Sequence, residues 1–212
     1  MTVPSRHTVS RPGEPCDSAV LAESLRVPER FGEIYRAHFK EIYRYVAGRL
    51  GPEAADDLAA ETFLVAFRRR HSFDPARGAV RPWLYGIATN VVAEHRRGET
   101  RRLRALGMVS AEAACDGHED RVAEQLSAQS LRRPLARALA GLSARDRDVL
   151  LLVALGDLSY DEIAFALSIP KGTVGSRLNR ARRTLMRALD GVHPAGTGAA
   201  PGSEGGGDAT HR

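Results

Sequence analysis

From residue 31 to 98, and again from 131 to 189, apolar side chains return every three to five positions, and stretches with the period of two that a strand demands are almost missing. That periodicity restricts the chain to an all-α fold. The two stretches share no repeat and are parted by a polar segment, residues 99–129. They therefore read as two different small helical modules, residues 29–98 and 130–190, joined by a flexible linker. Residues 1–28 mix Pro, Ser, Gly and charge without a period, and residues 191–212 ("GVHPAGTGAAPGSEGGGDATHR") are rich in Gly and Ala. Both ends are expected to be disordered, having too little apolar mass to offset the entropy of ordering.

In the first module Phe31, Ile34, His38, Ile42, Tyr45 and Leu50 mark one face of a long helix, which "GP" at 51–52 ends. A second helix runs through "EAADDLAAETFLVAFRRR", acidic in its first turn and basic in its last, as the helix dipole favours. "HSFDPARGAV" breaks the pattern. "RPWLYGIATNVVAEHRR" restarts it as a third helix, with Pro82 tolerated in the first turn. Of the twelve aromatic residues only Tyr160 and Phe165 lie outside residues 31–85, so this module holds the larger ring-lined core. Trp83, on one face with Ile87 and Val91, is expected in that core rather than as a stacking platform.

In the second module Ser143 with Asp146, and Ser159 with Glu162, have the spacing of reciprocal helix N-caps, with Gly156 ending the helix between them. A helix from Tyr160 to Leu167, a tight "SIP" turn and a last helix from Lys171 to Leu189 make a helix-turn-helix. At 100° per residue, Val174, Leu178, Ala181 and Leu185 fall on one side of the last helix. Gly172, Ser176, Asn179, Arg180, Arg183 and Arg187 fall on the other. A free face of hydroxyl, amide and guanidinium groups suits a DNA major groove: Arg bridges guanine O6 and N7, and Asn bridges adenine N6 and N7. Ser176, Asn179 and Arg180, in the half that enters the groove, are base-contact candidates. Arg183 and Arg187 are placed to hold phosphates.

Charge points the same way. Lys and Arg number 31 against 26 Asp and Glu, and all but Lys40 and Lys171 are arginine, whose planar fork fits phosphate and guanine. Two cysteines, Cys16 and Cys115, are too few for a disulfide framework or a four-cysteine zinc site. No apolar run reaches membrane-spanning length and Met1 to Val20 lacks the order of a signal peptide, so a cytoplasmic protein without membrane insertion is expected.

"LSYDEIAFALSIPKGTVGSRLNRARRTL" resembles the C-terminal promoter-binding region, region 4, of bacterial sigma-70 family factors. "DDLAAETFLVAFRR" resembles the core-polymerase-binding helix of their region 2, and "RGAVRPWLYGIATNVVAEHRR" the segment that opens the -10 element. A chain with only these two regions resembles the extracytoplasmic-function (ECF) group. The resemblance implies an initiation subunit without a catalytic site or cofactor. Its partners would be core RNA polymerase, through the largest-subunit coiled coil and the flap, then promoter DNA and an anti-sigma factor. It assigns polymerase binding to Asp57, Leu58, Glu61 and Phe63, and -10 DNA to Arg77, Asn90, Arg96 and Arg97. It assigns -35 DNA to Lys171, Thr173, Ser176, Arg177, Asn179, Arg180 and Arg183.

Opening DNA without ATP requires a base to bind more favourably outside the stack than within it, and the break from Asp74 to Val80 is the expected pocket loop. The two DNA elements lie about two helical turns apart, so the modules are expected to be held at separation by the polymerase rather than by direct packing. Two positions depart from the family pattern: Ala60 stands where glutamine is common, and Gly175 where a basic residue is common. Two other readings remain open. A helix-turn-helix regulator acting without polymerase leaves the first module unexplained. A metal-dependent nuclease using Asp56, Asp57 and Glu61 is poorly served, because adjacent helical residues diverge by about 100°.

Overall fold

The computed structural model describes residues 16–106 and 129–190. The expected tail at 191–212, most of the expected linker, and Cys115 lie outside the described residues. Eight α-helices carry the described chain: α1 (Asp17–Glu23), α2 (Phe31–Leu50), α3 (Ala55–Arg69), α4 (Val80–Ala105), α5 (Gln129–Ala140), α6 (Ala144–Ala154), α7 (Tyr160–Leu167) and α8 (Lys171–Asp190). Among the described residues there is no strand.

Helices α2, α3 and α4 pack mutually around fully buried Tyr45, Ile42, Tyr85 and Leu84, with the Tyr45 and Tyr85 rings edge to face at 5.1 Å. Gly51 closes α2 at φ 86°, the left-handed stop expected from "GP". A run of hydroxyls satisfies the buried interior: Arg49 donates to the Tyr45 hydroxyl at 2.8 Å, which meets Thr89 Oγ1 at 2.8 Å, and Thr89 donates to the Tyr85 carbonyl.

Residues 1–15 of the expected N-terminal tail lie outside the described residues, and the rest of it departs from the sequence reading. Residues 17–23 form α1, and Val20 and Leu21 are 2% and 1% exposed against the first module. Four polar links hold this short helix: Asp17 to His38, Ser24 Oγ to the Leu21 carbonyl, Glu23 to Arg30, and Arg70 to the Ser24 carbonyl. Seven residues carry too little periodicity to announce a helix, and its stability comes from the partner surface. The first module also runs past its expected end, because α4 continues to Ala105.

In the second module α5, α6 and α7 all pack on α8. Ser159 and Glu162 form the reciprocal cap. Ser143 caps α6 by accepting from the Asp146 amide at 3.2 Å, but the Asp146 carboxylate turns to Arg180 instead of back to Ser143. The "SIP" turn is a left-handed Ser168, φ 52°, with the Ile169 amide donating to the Ala164 carbonyl at 3.0 Å. Gly156 keeps a negative φ, and the left-handed residue of that turn is Asp157, φ 48°. Gly156 is needed for approach: a Cβ there would lie 2.8 Å from the Leu152 carbonyl oxygen and 3.1 Å from the Tyr85 ring.

That last contact crosses between modules, and it is one of several. Helix α7 lies along α4, and the buried apolar cluster runs unbroken from Tyr45 and Tyr85 to Leu152, Ile163 and Leu178. The expectation of modules separated without direct packing therefore does not hold for the chain alone. Glycine density at the seam is the physical reason, since Gly48, Gly78 and Gly86 let the second module approach the first at backbone distance. In a helix interior such a glycine costs about 1 kcal/mol relative to alanine.

Candidate nucleic-acid interface

Helix α8 meets its expectation residue by residue. Val174, Leu178 and Ala181 are buried and Leu185 half-buried, while Gly172, Ser176, Asn179, Arg180, Arg183 and Arg187 are exposed. Ser176, Asn179, Arg180, Arg183, Thr184 and Arg187 line a shallow open groove along the free face. A wider groove runs between this face and the start of α6, from Ser143 to Asp146 on one side and from Thr173 to Arg180 on the other. Arg180 spans it, its Nη1 donating to both Asp146 oxygens at 3.2 and 3.3 Å. The guanidinium is thereby steadied at one nitrogen and keeps its other edge for a base or phosphate. Arg177 and Thr173 are half-buried at the margin, and Lys171 pairs with Asp161 at 2.8 Å.

The loop at 74–79 forms the second candidate site. The Asp74 side chain accepts from the Ala76 amide at 2.9 Å, fixing the turn at the start of the loop. Phe73 packs on Trp83, ring centroids 5.3 Å apart. Around them opens a cleft of about 230 Å³ whose first-module wall includes Arg69, Asp74, Arg77, Trp83 and Asn90. Trp83 is half-buried and lines this cleft, so it belongs to the core on its Phe73 side and to the site on the other. Arg77, Asn90 and Arg97 are exposed. Arg96 is not on the cleft: its Nη2 donates to the Arg49 carbonyl at 2.8 Å, tying α4 to the end of α2.

The acidic helix gives a divided picture. Asp57 and Glu61 are exposed, but Leu58 is buried and Phe63 is only 3% exposed, edge to face with Tyr35 at 5.0 Å. The apolar side chain that shares the outer face with Asp57, Ala60 and Glu61 is Leu64, 47% exposed, and Tyr35 on α2 is also exposed. The resemblance does not assign Leu64, whose spacing of i+3 from Glu61 and i+7 from Asp57 is legible in the sequence. Among the described residues no group of three or more His, Cys, Asp or Glu side chains could hold a metal ion.

One polar cluster was not anticipated. His38, buried in α2, meets Asp17 at 2.8 Å through Nε2 and Glu41 at 2.6 Å through Nδ1. Burial disfavours its charged form, but hydrogen bonds and charge from Asp17 and Glu41 outweigh that and raise its pKa to about 9. The Glu41 carboxyl, resisting burial with help from His38 and Arg81, is held below its usual range. Arg81 donates Nε to Glu41 at 2.9 Å and Nη2 to the Gly156 carbonyl at 2.7 Å. A continuous polar line thus runs from α1 to the second module. No helix among the described residues is long and apolar enough to cross a membrane.

An acidic helix face, a loop cleft and a helix-turn-helix with a basic free face define a two-module helical DNA-binding factor. Residues 34–102 match the family model described as "Sigma-70 region 2", and residues 132–185 match "Sigma-70, region 4". The chain is 33% identical over 180 residues to the ECF RNA polymerase sigma factor SigC of Mycobacterium tuberculosis, covering 80% of this chain and 91% of that one. It is 33% identical over 187 residues to the ECF sigma factor BldN of Streptomyces coelicolor, covering 84% of this chain and 69% of that one. A co-crystal structure of the sigma factor RpoE with the anti-sigma factor NepR from Bartonella quintana shares the fold. Its TM-score is 0.55 at 20% identity, over 76% of this chain and 98% of that one. The chain belongs to the sigma-70 family, in its ECF group.

Proposed function

We propose that this chain is a promoter-recognition subunit of bacterial RNA polymerase, acting as a non-catalytic initiation factor. It docks on the core enzyme through the outer face of α3, reads the -35 element with α8, and reads and opens the -10 element with the α4 face and the loop at 74–79. The observation that carries the reading is the free face of α8, where Ser176, Asn179, Arg180 and Arg183 stand exposed opposite a buried Val174, Leu178 and Ala181 stripe. Asn90 offers an amide for a base edge, and Arg77 and Arg97 offer phosphate contacts. On α3, Asp57 and Glu61 supply charge for basic partner groups around an apolar Leu64 anchor. Leu58 and Phe63 support that face from beneath. The domain limits that fit this division are 29–98 and 130–190, extended at the front by α1 and in the middle by the end of α4.

An anti-sigma factor is the further partner, by analogy with RpoE of Bartonella quintana, which was crystallised with NepR. Added to core bacterial RNA polymerase with genomic DNA fragments, the protein is expected to yield a defined transcript. Tight binding of duplex DNA with no transcript and no affinity for the core enzyme would favour a free-standing helix-turn-helix regulator instead.

A further inference from the structure

The loop proposed to read the -10 element has little structure of its own. Its Asp74 carbonyl accepts from the Arg77 amide at 3.1 Å and its Asp74 carboxylate from the Ala76 amide, while Asp74, Pro75, Ala76, Arg77 and Ala79 are exposed. A loop built this way takes its position from the stems that enter and leave it, so whatever fixes the stems shapes the pocket. Helix α1 is tied to both. Taking the proposed function as its premise, we infer that α1 is a brace spanning the two stems of the -10 pocket loop, with Asp17 and Arg70 as positioning residues for the base that the loop receives.

The entry stem is the single 3-10 turn Arg70–Ser72 that follows α3. Arg70 stacks its guanidinium over the Phe67 ring, 3.8 Å from the ring centre, and donates Nη1 to the Phe67 carbonyl. Its Nε donates to the Ser24 carbonyl at 3.3 Å. Ser24 ends α1 and is fully buried, and its Oγ donates to the Leu21 carbonyl at 2.6 Å. The oxygen that Arg70 meets therefore belongs to a fixed piece of backbone.

The exit stem is the first turn of α4, which carries Arg81. Arg81 donates Nε to Glu41 at 2.9 Å, Glu41 faces His38 Nδ1 at 2.6 Å, and His38 Nε2 faces Asp17 at 2.8 Å. Ionised carboxylates only accept, so both imidazole nitrogens donate and every group in the line has one role. Asp17 opens α1 and Ser24 follows its last residue, about 10 Å along the axis at 1.5 Å per residue. One short helix thus holds a different stem at each end, with Val20 and Leu21 buried between the two ties. Those two apolar side chains are enough to keep α1 on the module. What the polar ties add is direction, because hydrogen bonds fix distances and angles that apolar contact leaves free.

Base-specific strand binding tests the inference. In holoenzyme assembled with core polymerase, the wild-type chain is expected to prefer a single-stranded -10 oligonucleotide, taken from a promoter mapped with that enzyme, over the same strand made abasic at one position. The pocket position is the one where the missing base costs most. Asp17→Ala with Arg70→Met in the full chain removes both ties while keeping an unbranched stem over Phe67. The pair should cut the preference at the pocket position at least threefold, with core polymerase binding and -35 duplex binding within twofold of wild type. A helix that only added stability would lower the thermal midpoint and leave the preference as it was, and that result overturns the inference. Amide hydrogen exchange supplies a reading that needs no DNA: residues 73–80 should exchange at least threefold faster in the double variant while α8 does not change. Equal exchange overturns the brace as well. If the double variant fails to fold, Asp17→Ala alone, at a side chain 42% exposed, decides by the same two readings. If wild-type holoenzyme shows no preference at any position and yields no transcript, the proposed function is what fails, and the exchange reading still upholds or overturns the brace.

Discussion

Arg180 of α8 and Asp146 of α6 are joined across the groove beside the recognition face, with the Asp146 carboxylate buried and the Arg180 side chain largely exposed. A buried acid behind an exposed guanidinium restricts where the cation can reach. In the proposed reading of the major groove, that restriction gives Arg180 its direction.

Replacing Arg180 with alanine is therefore expected to cut transcription from a cognate promoter about tenfold or more, with core polymerase binding unchanged, since a bidentate base contact discriminates by roughly 1–3 kcal/mol. Asp146→Asn should lower promoter selectivity in the same assay by a smaller factor, because Arg180 remains but is no longer steered. Equal promoter-specific output from Arg180→Ala would remove Arg180 from the reading set.

Leu64 on α3 should matter for docking without mattering for folding. It is exposed beside Asp57 and Glu61, so Leu64→Asp is expected to leave the thermal midpoint within experimental error. In a fluorescence titration it should weaken core polymerase binding by at least tenfold. Binding as tight as wild type would move the docking face elsewhere.

The His38 cluster predicts a pH dependence of definite sign. Its pKa rises from 6.5 to about 9 on folding, so the stabilisation by Asp17 and Glu41 is full below pH 6.5 and is lost as pH climbs through 9. Urea unfolding of wild type and His38→Gln across pH 6 to 9.5 should show a stability gap that is widest at the acid end and narrows upward. A gap that stays constant would contradict the assignment.

Gly175 departs from the family pattern and has no steric reason to be glycine. A Cβ there meets only the Tyr160 ring at 3.9 Å, and its φ is not positive. Gly175→Ala is expected to stabilise the second module by about 0.5–1 kcal/mol, read as a rise in the thermal midpoint. Gly175→Arg should in addition steepen the salt dependence of DNA binding, since it adds a phosphate-reaching cation.

Removing the Ser159 hydroxyl breaks the arm of the reciprocal cap in which Oγ accepts from the Glu162 amide, and leaves the Ser159 amide donating to the Glu162 carboxylate. Ser159→Ala is expected to cost about 1 kcal/mol in a chemical denaturation curve. A loss below a few tenths would mean that packing of α7 on its neighbours sets its start.

Helix count, the helix-turn-helix and the two faces of α8 were legible in the residues because each depends on local periods and caps that neighbours in sequence enforce. The spacing of Val174, Leu178 and Ala181 directs them inward, and they are buried. The spacing of Ser159 and Glu162 specifies a reciprocal cap, and both of its bonds form. Pocket residues at the 74–80 break were also readable, since Pro and Gly there forbid helix continuation.

Tertiary structure decided the rest. Asp146 carries the spacing of a cap partner, yet a cation 34 positions away claimed its carboxylate. Phe63 carries the spacing of an anchor, yet Tyr35 and Phe39 cover it and leave the exposed place to Leu64. Helix α1 has too few residues to declare itself and is held by buried Val20 and Leu21, while Gly48, Gly78 and Gly86 look like weak spots until α7 and Leu155 arrive. Sequence alone determined which segments are helical and which side of each is apolar, because those follow from bonds and periods within a few residues. Which apolar and charged groups meet was left to the packed structure, because that depends on the distances between elements, which no local pattern encodes.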